Sequence, residues 1–122
     1  MNKTLATAAL LVSTFFPVIS DAQAGSGHTQ KGMASYYHDR FHGRKTASGQ
    51  RYNRNQFTAA HKTLPLGTKL EVTNTRTGRS IIVKVNDRGP YAKGRSLDLS
   101  REAARSLGII HQGVAPIKFR VL

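Results

Sequence analysis

The sequence predicts a mainly β protein, a small barrel of short strands with one or two short helices. Three observations carry that expectation. Once an N-terminal processing segment is set aside, 98 residues remain, Gly25 to Leu122, enough for one small domain. Within them, several short runs alternate apolar and polar side chains, the period of a half-buried strand. Only one segment, near residues 100–108, carries the caps of a helix, and no repeat is visible.

The elements follow in order. Residues 1–24 read as a secretory signal peptide: Lys3 supplies a positive start, Leu5 to Ile19 is mostly apolar, and Ala22-Gln23-Ala24 is a small-x-small cleavage site. Thr, Ser and Pro17 interrupt that apolar run, which is too short for a membrane span, so no membrane insertion is expected after cleavage. No Cys follows the site, so no lipid anchor on cysteine is expected. Residues 25–31 read as a flexible leader and 32–122 as the folded domain.

"MASYY" (Met33 to Tyr37) suits a first strand, and His38 to Asn55, rich in Gly, Arg, Asn and Ser, a long functional loop with a short strand near Tyr52. Phe57 to His61 is a short strand or a helical turn; Pro65 and Gly67 mark a turn after it. Leu70, Val72 and Asn74 share one face, as do Ile81, Val83 and Val85, and the "NTRTGR" turn between them makes a β-hairpin. "SLDLS" is a short return strand. Ser100 caps the helix "REAARSLG", with Glu102 in its first turn and Gly108 as its stop. Ile117, Phe119 and Val121 alternate in a last strand.

Composition narrows the chemistry. The absence of cysteine removes disulfides and thiol catalysis, and with no tryptophan the core must come from Val, Ile, Leu, Phe and Tyr. The formal charge is +13, and losing residues 1–24 removes one cation (Lys3) and one acid (Asp21), so the balance stands. Such a field concentrates polyanions. For an exported protein these are cell-wall polymers or lipid head groups, and no nucleic-acid partner is expected. The cations are scattered, which also fits a simply solvated surface.

Five acids lie beyond residue 24: Asp39, Glu71, Asp87, Asp98 and Glu102. Glu71 alternates outward, Glu102 suits its helix end, and Asp39 sits in a basic loop where it finds a partner. Asp87 and Asp98 flank "RGPYAKGRSL" and face one groove if their strands are neighbours; otherwise Asp87 is a turn former and Asp98 an acceptor beside the helix start. His38, His42 and His61 lack zinc spacing, so no metal or cofactor is expected, and His61 reads as a hydrogen-bonding groove residue. No phosphate loop and no nucleophile elbow is present.

"GMASYYHDRFHGRKTASGQRYN", "FTAAHKTLPLGTKLEVTNTRTGRSIIVKVNDRGPY" and "GRSLDLSREAARSLG" together resemble the rare lipoprotein A (RlpA) family, over nearly all of residues 32–122. The resemblance implies a six-stranded double-psi β-barrel related to expansins. It also implies an endolytic lytic transglycosylase that cleaves MurNAc–GlcNAc bonds in glycan strands lacking stem peptides and leaves 1,6-anhydroMurNAc ends. Asp87, in the "NDRGP" motif, is then the catalytic residue. One carboxyl can protonate the glycosidic oxygen and afterwards take the proton of the muramic 6-hydroxyl, so no second carboxylate is obligatory. Burial would have to raise the pKa of Asp87, and Arg88 would oppose that. Gln50 stands where active relatives often carry Glu, and an amide cannot ionise.

Asp98, Gln50, His61, Arg88 and Thr46 are expected to arrange the groove, and Tyr36, Tyr37 and Tyr91 to offer stacking faces to sugar rings or simply to pack the barrel. The alternative is a non-hydrolytic peptidoglycan-binding or expansin-like wall-loosening module. The family's lipid anchor and C-terminal repeat domain have no counterpart in these residues, which leaves septal targeting open; a monomer in the periplasm or wall is expected.

Overall fold

The computed structural model describes residues 28–122; the expected signal peptide and the first three residues of the expected leader lie outside them. Six strands form one closed barrel. They are β1 (Thr29–Tyr36), β2 (Thr58–Ala60), β3 (Lys69–Asn74), β4 (Ser80–Asp87), β5 (Leu97–Leu99) and β6 (Ala115–Val121). One helix, α1 (Arg101–Leu107), and a 3-10 turn at Asp39–Phe41 complete the elements. Around the barrel the order is β1-β5-β2-β4-β3-β6. Two pairings are parallel, β1 with β5 and β2 with β4, and the rest are antiparallel.

The expected alternations decide which side chains go in. Leu70, Val72 and Asn74 on β3 are buried, as are Ile81, Val83 and Val85 on β4, and the hairpin registers Leu70 with Val83 and Val72 with Ile81. Ile117 and Phe119 on β6 close the interior with Ala34, Ala59, Leu97 and Leu99. β1 begins at Thr29, four residues before the expected Met33, because its partner β6 is long enough to register Thr29 with Arg120; residues 29–31, read as leader, are therefore strand. The segment read as a short strand or a helical turn, Phe57 to His61, is strand at Thr58–Ala60, and the short strand expected near Tyr52 is a single bridge between Lys45 and Arg51.

Helix α1 is built as its caps predict. The Ser100 hydroxyl accepts from the Ala103 amide, and Gly108, at φ 82°, takes the left-handed conformation that ends the helix. Ala103, Ala104 and Leu107 bury one face, and the Asn74 side chain donates to the Leu107 carbonyl at 3.0 Å, tying the hairpin turn to the helix end. Among the described residues no helix is long and apolar enough to cross a membrane.

Candidate active site

Strand order brings the two aspartates together. β2 lies between β4 and β5, and its last residue, Ala60, registers with Asp87 on one side and Asp98 on the other. Asp98 in turn registers with Ser35 of β1. A row Ser35–Asp98–Ala60–Asp87 thus crosses four strands on the face opposite to the buried Ala34, Leu97, Leu99 and Ala59. With strands about 4.8 Å apart, the two aspartate backbones stand roughly 10 Å from each other, with only the methyl of Ala60 between them.

An open groove of ≈ 450 Å³ lies over this row. Both aspartates line it, together with Tyr37, Phe41, Thr46, Tyr52 and Arg88 to Ala92. The Asp87 carboxylate is held at both oxygens: Oδ2 accepts from the Tyr37 hydroxyl and Oδ1 from the Ala47 amide at 2.8 Å. Asp98 Oδ1 accepts from the Ser35 hydroxyl at 3.2 Å. Burial pushes the Asp98 carboxyl up to about 6, against the lowering pull of the Ser35 hydrogen bond and of Arg95; the charge of Asp87 adds to the rise. The groove offers one carboxyl that keeps its proton in mildly acidic solution and a second whose oxygens already accept two hydrogen bonds, the two halves of an acid–base pair.

The rim stretch, residues 43–52, is a small closed loop. Two backbone bonds close its mouth, the Tyr52 amide donating to the Arg44 carbonyl at 2.7 Å and the Gly43 amide to the Tyr52 carbonyl at 2.8 Å. Thr46 holds the tip, its amide and its hydroxyl both donating to the Gln50 carbonyl. Thr46 thus lines the groove while its hydroxyl is committed to the loop.

Several expected groove residues stand elsewhere. Gln50 is exposed and lines a neighbouring polar cavity with His42, Arg51, Asn53 and Gln56, because the tight tip turns its side chain to the far side of the loop. His61 builds a turn: Nδ1 accepts from the amides of Thr63 and Leu64, and its ring packs edge-on against Phe119. Burial, then Arg88 and Lys62, lower its pKa. Tyr36 points to the other side of β1, where its hydroxyl donates to the Ile110 carbonyl at 2.9 Å. Arg88 lines the groove but donates to the carbonyls of His61 and Leu64, and makes no ion pair with Asp87. Tyr91, 76% exposed, presents a free ring at the rim, and Tyr37 is covered by Tyr52.

The sequence reading missed Tyr52, which is buried, lines the groove and accepts from the Arg101 amide through its hydroxyl. It also missed the Ala47 amide, since a backbone donor leaves no mark in residue identity. Asp39 pairs as expected, with Arg54 and Arg101, and the two glutamates also find partners, Glu71 with Arg120 and Glu102 with Arg105. Among the described residues no three His, Cys, Asp or Glu side chains gather into a possible metal site.

Residues 29–119 match the family model described as lytic transglycolase. The chain is 54% identical over 101 residues to the endolytic peptidoglycan transglycosylase RlpA of Pasteurella multocida, covering 83% of this chain and 34% of that protein. Identity to the protein of the same name from Neisseria meningitidis is 57% over 90 residues, covering 74% of this chain and 38% of the relative. The chain therefore spans little more than a third of the length of these relatives. Among solved structures it is similar to a Streptomyces papain inhibitor, with a TM-score of 0.66, 26% identity and coverage of 82% of this chain and 99% of the other. It is also similar to a variant Clavibacter michiganensis expansin in complex with cellohexaose, with a TM-score of 0.62, 25% identity and coverage of 78% and 50%. Neighbours of this kind, with the closed six-strand order, make the fold a double-psi β-barrel.

Proposed function

The chain belongs to the lytic transglycolase family, and from that membership we propose that it is an endolytic peptidoglycan transglycosylase. It cleaves MurNAc–GlcNAc bonds, takes glycan strands lacking stem peptides, and leaves 1,6-anhydroMurNAc ends. It works outside the cytoplasm, in the periplasm or wall, as a monomer on its glycan. The observation that carries the reading is the pair Asp87 and Asp98 in one groove, one on each side of Ala60.

The reaction needs a proton for the leaving oxygen and a base for the muramic 6-hydroxyl as it closes on C1. Asp98, protonated up to about pH 6, suits the first task. Asp87, oriented by Tyr37 and Ala47, faces the cationic centre that develops at C1 and takes the 6-hydroxyl proton. The single-residue cycle at Asp87 is thereby shared between two carboxyls. Tyr91 supplies an exposed ring for a sugar face.

A second reading, a glycan-binding module without turnover, is favoured by the likeness to an expansin solved with cellohexaose. The two separate in one experiment: digestion of denuded glycan strands by the purified protein, read by mass spectrometry for anhydromuramyl ends, beside Asp87→Asn and Asp98→Asn. Anhydro ends that fall at least about 100-fold in both variants support the enzyme. Strands retained without any anhydro product would leave the binding module.

A further inference from the structure

The aromatic stack behind Asp87 has a place in this chemistry. Tyr37 follows directly on β1, and its amide donates to the Leu99 carbonyl at 2.9 Å, so its backbone is fixed to β5. Its ring lies on Tyr52, with centroids 4.4 Å apart and planes 17° from parallel, and meets Phe41 edge-on at 6.2 Å. Tyr52 is itself locked, because its hydroxyl accepts from the Arg101 amide at 3.0 Å in the first turn of α1. The phenol of Tyr37 therefore has one place to go, and there it donates to Asp87 Oδ2. Burial, then the Asp87 bond, raise its pKa, so it stays a donor across all working pH.

Resting on the transglycosylase reading, we propose that Tyr37 is the positioning residue for Asp87: its hydroxyl holds the carboxylate turned into the groove. The groups near Asp87 are few. Asp98 stands across Ala60, Arg88 is engaged with backbone carbonyls, and Lys45 and Arg44 line the same groove from the rim loop. Of the two direct donors, Ala47 belongs to that rim loop, whereas Tyr37 directly follows β1, with its amide tied to β5 and its ring stacked on Tyr52 at the loop's end.

Tyr37→Phe tests this, since the ring stack persists and only the hydroxyl goes. The expected result on denuded glycan strands is a fall in kcat of roughly 10- to 100-fold with KM within about twofold and an unchanged unfolding midpoint. A kcat equal to that of the starting protein would overturn the proposal, as would a fall explained by lost folded protein. Proton NMR supplies a readout free of turnover: a slowly exchanging hydroxyl signal from Tyr37 should be present in the unaltered protein and absent from both Tyr37→Phe and Asp87→Ala, which removes the acceptor. Survival of that signal in Asp87→Ala would sink the assignment. If the unaltered protein makes no anhydro ends, the transglycosylase reading fails, and strand retention decides on Tyr37. Equal weakening in Tyr37→Phe and Asp87→Asn keeps it as the residue that sets Asp87, whereas weakening in Asp87→Asn alone rejects it.

Discussion

Asp98 gives the site a cost that can be measured. Its folded carboxyl is raised from 3.8 to about 6, so the folded state holds the proton more tightly than the unfolded chain does. That contribution is complete below about pH 4 and lost as pH rises through about 6. Asp98→Asn removes the charge and can still accept from Ser35, so it should stabilise the protein by ~1–3 kcal/mol at pH 7 and by almost nothing at pH 4, as read by urea unfolding at both. Turnover should run the same way: with Asp98 as proton donor, kcat declines as pH rises through about 6. Gln50 supplies the contrasting case. Its side chain lies in the neighbouring cavity, so Gln50→Glu should change the yield of anhydro ends by less than about twofold. A large gain would mean that the rim loop brings residue 50 round to the substrate.

The elements show where pattern sufficed and where it did not. The β3–β4 hairpin and α1 were legible because their signals are local: alternation over six to eight residues, a serine cap, a terminal glycine. The meeting of Asp87 and Asp98 was foreseen only conditionally, since it depends on β2 inserting between β4 and β5, and Thr58–Ala60 is too short to announce its partners. The positions of Gln50 and Tyr36 were misread because a loop has no periodicity to say which way a side chain turns. Two substitutions probe the packing that sets this order. A Cβ on Gly32 would meet Ser96 Oγ at 2.3 Å and its Cβ at 2.8 Å. Gly32→Ala should therefore cost ~1–3 kcal/mol in chemical denaturation, and adding Ser96→Gly should recover most of the loss. Ser100 is fully buried, with its hydroxyl bonded to the Gln56 carbonyl and to the amides of Thr58 and Ala103. Ser100→Ala should cost ~1–3 kcal/mol, because it leaves the helix cap, the Thr58 amide of β2 and the Gln56 carbonyl without this partner at once.

At the scale of the molecule, positive charge prevails. A formal +13 with only a few paired acids leaves most Lys and Arg facing solvent. Retention on isolated wall sacculi should fall several-fold between 0.05 and 0.5 M salt, about the range over which the screening length drops below a residue's reach. The unfolding midpoint should move little over the same range. Pelleting assays at matched pH would test this, and salt-independent retention would assign binding to the groove alone. The closed barrel adds a constraint on any partner. Each strand has two neighbours in the ring, so among the described residues no strand stands wholly at a sheet edge, where an extra strand from a peptide or a second copy would add most readily. A scaffold with no edge strand can change its ligand by rewriting the loops above the row at Ala60 while its framework stays as it is.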